Sequence, residues 1–255
     1  MGCKYVNFKQ IVSLKRIFRI FTALVMSFVA FGTTLSTNVS AQSTLDKLSF
    51  VKKIKLAKAG DVEAQLAVAA DYELGRNNAR KNLLKAARWY RKAAKQGDAK
   101  AQFKLARILH TGGRGIKKSP QLAVPLYETA AKQGNANAQY WLAFSYQHGD
   151  GVKADINKAI VWYQKAAEQN LGSAQNNLGL IYLNGKYVTR DLVKAFTLFS
   201  KAAEQGDPWA MNNLGGLYEM GWGTNPDRTK AKSFYQKAAD KGNESAQRNL
   251  ARLNS

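Results

Sequence analysis

Residues 174–185 read Ala174-Gln175-Asn176-Asn177-Leu178-Gly179-Leu180-Ile181-Tyr182-Leu183-Asn184-Gly185. Ala174, Leu178, Ile181 and Tyr182 fall at the i, i+4, i+7, i+8 spacing that puts them on one side of a helix. Gly185 stops that helix, because glycine accepts the left-handed backbone of a helix C-terminus. A short loop leads to Asp191, a residue type that caps a helix by accepting from orphan backbone N–H groups. The second helix carries Leu198-Phe199 and Ala202-Ala203 and stops at Gly206. Large and small residues in alternation are what a closely packed helix layer needs. The stretch is therefore one helical hairpin, helix A followed by helix B.

The hairpin is repeated along the chain. Ala-Gln recurs at 64–65, 101–102, 138–139, 174–175 and 246–247, with Ala210-Met211 in the same register, at spacings of 36 or 37 residues. Four residues upstream stand the stops Gly60, Gly97, Gly134, Asn170, Gly206 and Gly242. Helix A ends at Gly75, Gly112, Gly149, Gly185 and Gly221, and the caps of helix B are Asn82, Ser119, Asp155, Asp191 and Asp227. The large pairs are Trp89-Tyr90, Leu126-Tyr127, Trp162-Tyr163, Leu198-Phe199 and Phe234-Tyr235, each followed by Ala-Ala. Pro120 sits at a first helical position, where its missing N–H is harmless. Pro125, inside a helix B, predicts a kink or a late start. Leu171 is the one apolar residue at a helix A cap position.

The pattern predicts an all-α, right-handed α/α superhelical solenoid of five repeats, 60–96, 97–133, 134–169, 170–205 and 206–241. Residues 42–59 are expected to form an N-terminal capping helix, with Leu45, Leu48, Val51 and Leu56 on its apolar side. Residues 242–255 are expected to cap the other end. A solenoid needs such caps to cover its terminal core.

These residues resemble the Sel1-like repeat family, a relative of tetratricopeptide repeats. The resemblance is carried by Ala174-Gln175-Asn176-Asn177-Leu178-Gly179-x-x-Tyr182-x-x-Gly185, then Asp191-x-x-Lys194-Ala195 and Lys201-Ala202-Ala203-x-x-Gly206. The period of 36–37 distinguishes it from the 34 of tetratricopeptide repeats. The resemblance implies adaptor or scaffold proteins in export, envelope assembly and host interaction. Some cysteine-rich bacterial relatives carry a β-lactamase label. The chain has a single cysteine, Cys3, so the disulfide-forming cysteines of that branch are absent and the label is not carried over.

Residues 1–41 read as a secretory signal peptide. Lys4, Lys9, Lys15, Arg16 and Arg19 form a basic segment, and Ile20 to Phe31 is an apolar core too short to span a bilayer comfortably. Val39-Ser40-Ala41 places the expected cleavage after Ala41, and the mature chain is expected in the periplasm or secreted. A retained anchor is the alternative.

Catalysis needs converging groups, and the sequence shows none. Ser49-x-x-Lys52 matches the spacing of penicillin-binding serine acylases, but Ser-Asp-Asn and Lys-Thr-Gly are missing. A β-lactam hydrolase is the least favoured function. His110 and His148 lack a second ligand at i+4 and read as solvated or capping histidines. Gly113-Arg114-Gly115 and Gly149-Asp150-Gly151 follow no strand and read as hairpin turns, not phosphate cradles. No cofactor or metal is expected, and the chain is read as non-enzymatic.

The surface carries the functional expectation. Helix A is expected to line the concave face. Its positions opposite the buried stripe include Lys100, Lys104, Arg107 and Thr111 in the second repeat, and Asn137, Trp141, Phe144 and His148 in the third. The fourth offers Ser173, Asn177, Leu180 and Asn184, and the fifth Trp209, Asn213, Gly216 and Met220. From these, Trp141, Phe144, Asn177, Trp209, Asn213 and Met220 are the expected partner-binding residues, the aromatics as anchors and the asparagines as hydrogen-bonders to a peptide backbone. The aromatics could instead pack against the next repeat.

The net charge is +22 and is unevenly spread. Residues 76–118 hold 14 basic residues and one acid, Asp98. Arg80, Lys81, Lys85, Arg88, Arg91, Lys92, Lys95, Lys104 and Arg107 form the expected anionic-surface set. Like charges at i, i+4 cost helix stability, which argues that a partner retains them. Export points to anionic lipid, lipopolysaccharide or an acidic host or envelope protein, not nucleic acid.

Overall fold

The computed structural model describes Leu45 and residues 48–254. The expected signal peptide and its cleavage site lie outside the described residues. Among the described residues the secondary structure is twelve helices and no strand. They are α1 (Phe50–Lys58), α2 (Val62–Leu74), α3 (Leu83–Lys95), α4 (Ala99–Thr111), α5 (Pro120–Lys132) and α6 (Ala136–His148). Then come α7 (Ile156–Glu168), α8 (Gly172–Asn184), α9 (Leu192–Glu204), α10 (Pro208–Met220), α11 (Arg228–Asp240) and α12 (Glu244–Asn254). Each helix packs on the one before and the one after, which is the contact pattern of a solenoid.

Local chemistry sets the boundaries. Gly75, Gly149, Gly185 and Gly221 end their A helices in the left-handed conformation, with φ between 64° and 72°. Asn82, Asp155, Asp191 and Asp227 each accept the backbone N–H three residues on, at 2.8–3.0 Å. Ser119 departs from the expected cap: its hydroxyl caps nothing, and the Leu122 N–H bonds the Ser119 carbonyl instead. Pro125 does not delay its helix. α5 starts at Pro120 with the same thirteen residues as its counterparts, and Pro125 is exposed.

A glutamine pair, one member buried and one exposed, ties repeats together. Gln65, Gln102, Gln139 and Gln175 donate to the carbonyls of Ala57, Ala94, Ala131 and Ala167 in the preceding helix B, at 3.1–3.4 Å. Each also accepts from the glutamine closing its own repeat, Gln96, Gln133, Gln169 or Gln205, at 2.7–3.0 Å. In the fifth repeat both partners change together, to Met211 and Lys241. The buried amide of the first glutamine needs a partner, so where Met211 replaces it the second glutamine has nothing to satisfy.

The N-terminal cap differs in register from its expectation. Val51 is 76% exposed and Leu56 is also exposed. Phe50, Ile54 and Ala57 face the core instead, because the Phe50 ring meets Tyr72 edge-on at 5.3 Å. That rotation buries Lys53, only 1% exposed, whose ammonium lies 3.3 Å from the Asp71 carboxylate. The sequence pattern of apolar residues missed this charge because it is neutralised by a residue eighteen positions away.

Candidate binding groove on the concave face

The A helices touch one another and define the inner face. Arg107 on α4 reaches Glu73 on α2 at 2.7 Å, and Arg252 on α12 reaches Glu219 on α10 at 2.7 Å. Asn213 on α10 donates to Asn176 on α8 at 2.9 Å, and Asn249 donates to Asn212 at 3.0 Å.

A groove of about 620 Å³ opens across α6, α8 and α10. Tyr140, Phe144, Gln147 and His148 form one wall, and Ser173, Asn176, Asn177 and Leu180 form the floor. Asp207, Trp209 and Asn213 close the other side. Four of the six expected partner-binding residues thus meet in one place: Phe144, Asn177, Trp209 and Asn213. Trp209 is 59% exposed and free to take a partner. Trp141 lies outside the groove, half-buried, stacked on Tyr127 at 6.2 Å and edge-on to His110 at 5.1 Å. Met220 is exposed and also outside it. His148, Ser173 and Leu180 stood on the expected helix A face but outside the partner-binding set, and Tyr140, Gln147, Asn176 and Asp207 lay outside both. Tyr140, Gln147 and Asn176 sit one helical position before the frame read from the sequence, and a wider stripe on helix A would have included them.

The groove wall is a fixed polar network. The Tyr163 hydroxyl donates to Gln147 Oε1 at 2.8 Å and accepts from Asn177 Nδ2 at 3.1 Å. Burial pushes the pKa of Tyr163 above the ordinary phenol range, partly offset by Asn177. Asn177 and Asn213 therefore each spend one amide N–H on the scaffold. Among the described residues, the Gln147 amide N–H₂, the Ser173 hydroxyl and the Asn213 carbonyl have no partner. These supply a donor, a donor-acceptor and an acceptor to an occupant. Asp207 is held in place as the cap of α10, accepting from the backbone N–H of Trp209 and Ala210 at 2.9 Å each.

The histidines part company. His148 is exposed, with its ring 4.3 Å from Phe144. His110, expected to be solvated or capping, is neither: it is 5% exposed, its Nε2 lies 3.1 Å from Asp150 and its Nδ1 has no partner. Burial lowers its pKa, Asp150 pulls the other way, and Lys118 adds to the lowering. No group of three His, Cys, Asp or Glu side chains among the described residues could hold a metal. Ser49 and Lys52 are both exposed, and Ser49 serves as the N-terminal flank of α1.

The expected anionic-surface set divides between two faces. Lys104 and Arg107 lie on the concave side and pair with Glu73 at 3.6 and 2.7 Å. Lys85 covers the Tyr72 ring at 5.2 Å and Lys92 covers Trp89 at 4.3 Å. Arg80, Lys81, Arg88, Arg91 and Lys95 are exposed on and beside α3, and no carboxylate among the described residues pairs with them.

A family model described as Sel1 repeat matches residues 62–98, 99–135, 136–171, 172–207 and 210–243. The chain belongs to the Sel1 repeat family. Among solved structures it is similar to c5321, a protective antigen present in uropathogenic Escherichia coli strains displaying an SLR fold. There the identity is 35% and the TM-score 0.74, over 81% of this chain and 44% of that one. It is also similar to a Sel1 repeat protein from Oxalobacter formigenes. That pair shares 36% identity with a TM-score of 0.71, over 80% of this chain and 58% of the other. The chain therefore spans about half the length of these two relatives. A comparison with curated proteins returns no match. The Sel1 family is a family of protein-interaction scaffolds, generally without catalysis, and this chain has its solenoid.

Proposed function

We propose that this Sel1 repeat protein is a non-catalytic adaptor of the bacterial envelope that holds an extended polypeptide segment in the α6–α8–α10 groove. One observation carries the reading. The thirteen residues of α6 and the thirteen of α8 contain no Lys, Arg, Asp or Glu, and α10 contains only Glu219. In a chain with a net charge of +22, two of three successive A helices carry no charged side chain and the third carries one. Charges are costly to desolvate, and their removal suits a face that a partner covers. Exposed Trp209 supplies the apolar anchor, and the unpartnered groups of Gln147, Ser173 and Asn213 match the alternating donors and acceptors of a peptide backbone.

The envelope setting rests on residues 1–41 as a signal peptide. N-terminal sequencing of the protein recovered from a periplasmic extract checks this, with Gln42 as the expected first residue. A chain recovered in the cytosol beginning at Met1 would contradict it.

The groove is tested in cells with a photo-crosslinking residue at Phe144, followed by mass spectrometry. The expected result is one discrete protein adduct that disappears when Trp209→Ala and Asn213→Ala are added. An adduct indifferent to both changes, or none at all, overturns the groove.

A further inference from the structure

The loops joining helix A to helix B all lie along one edge of the solenoid, and their charge changes abruptly along it. In the first two repeats they carry Arg76, Arg80 and Lys81, then Arg114, Lys117 and Lys118, with no acid. All six are exposed, and no carboxylate among the described residues pairs with them. The caps that follow are neutral there, Asn82 and Ser119. In the third to fifth repeats the same position is Asp155, Asp191 and Asp227. An Asp cap adds a negative charge at the positive end of a helix, and Asn82 and Ser119 give that charge up in two successive repeats. This removes the one negative charge that the fold would otherwise put on this edge.

The backbone presses the two cationic loops together. Gly115 runs so close to α3 that a Cβ there would meet the Leu84 side chain at 2.7 Å, and Gly113 lies as tightly against Leu83. The second loop thus lies over the start of α3, beside Lys81 and Lys85. Leu74, Leu84 and Leu122 stand exposed along the same edge, at the end of α2 and the starts of α3 and α5. Cations that surround exposed leucines suit an interface whose first layer is anionic and whose next layer is apolar.

We infer that the loop edge of the first two repeats docks this protein on an anionic phospholipid bilayer. The cations engage lipid phosphates, and Leu74, Leu84 and Leu122 enter the headgroup–acyl boundary. A soluble polyanion would use the cations and leave the leucines in water. This surface is separate from the groove, so either can fail without the other.

The test is amide hydrogen exchange of the full-length protein with vesicles of phosphatidylglycerol and phosphatidylcholine, because it reads the edge locally whatever residues 1–41 do. Slower exchange is expected at residues 75–84 and 112–122, present at low salt and lost at high salt. Asn82→Asp with Ser119→Asp restores the cap found in the other repeats and leaves the fold intact. It is expected to weaken the vesicle affinity read at this edge by about tenfold or more. Leu74→Ser with Leu84→Ser leaves all cations in place and is expected to weaken it as well. Three outcomes overturn the inference. One is unchanged exchange at this edge when vesicles are bound. Another is protection that survives high salt. The third is equal protection by inorganic phosphate or heparin without lipid, which would make the edge a soluble-anion site.

Discussion

Single side chains in this protein are chosen in pairs. Glu73 with Tyr90, Gln147 with Tyr163 and Glu219 with Tyr235 are hydrogen-bonded partners at 2.7–2.9 Å in three repeats. The fourth repeat has Leu183 and Phe199 at the same two positions, so both polar groups have gone together. The second repeat breaks the rule. His110 faces Tyr127 with ring centroids 5.9 Å apart, and His110 Nδ1 and the Tyr127 hydroxyl are buried with no partner. The glutamine pairs follow the same logic and make it measurable. Gln139→Met removes the Gln169 hydrogen bond and one of those accepted by the Ala131 carbonyl, which keeps the Gly134 N–H at 3.0 Å, and is expected to cost about 0.5–1.5 kcal/mol. Adding Gln169→Lys recreates the Met211 and Lys241 combination and should recover at least half of the loss. Urea unfolding midpoints at constant slope check both. The repeat positions of these residues are plain in the sequence. Their pairing is not, since the partners lie about thirty residues apart and meet only once the helices stack.

At the scale of the helix, small residues control how closely A and B approach. A Cβ on Gly215 would meet the Tyr235 ring at 2.8 Å, whereas one on the adjacent Gly216 meets only the Tyr235 hydroxyl at 3.5 Å. Neighbouring glycines therefore have opposite roles. Gly215→Ala overpacks the helix pair and is expected to lose about 1–3 kcal/mol. Gly216→Ala lifts helix propensity in free space and is expected to gain about 0.5–1 kcal/mol. Thermal unfolding of the two variants checks the signs. Helices were the most legible part of the sequence, because their stops and caps are set by residues within a few positions. Misreadings arose where tertiary contacts decide. Phe50 on Tyr72 turned α1 away from its expected face, and Asp150 drew His110 into the interior. The groove was legible in part: Phe144, Asn177, Trp209 and Asn213 stood out as exposed types on one helical face. Gln147 and Asn176 did not, because they lie one helical position before the stripe read from the sequence.

Across the whole molecule, the concave face is charged at its ends and neutral between them. Glu73 is gripped by Lys104 and Arg107, and Glu219 by Arg252. Burial works to raise the pKa of Glu73, but the Tyr90 hydrogen bond and the two cations together hold it below the usual carboxylate value. The Arg252 hydrogen bond does the same for Glu219, reinforced by Tyr235. A carboxyl depressed in the folded state adds stability above its unfolded pKa, and that stability is lost as pH falls through the folded value. Acidification below about 4.5 should therefore loosen both ends before the centre. Hydrogen exchange at falling pH is expected to lose protection in α2–α4 and α10–α12 ahead of α6–α8. Glu73→Gln should blunt the pH response at the N-terminal end alone. Earlier loss in the central helices would show that these grips do not govern the acid response.

Those two grips also act as bookends. The A helices between them, α6 and α8, share one length and one absence of charge, and neither grip touches them. Copying residues 170–205 in tandem would insert another neutral shelf without altering either terminus. The same architecture could then accommodate a longer guest, so recombination between repeats would adjust the length recognised while the rules of recognition stayed the same.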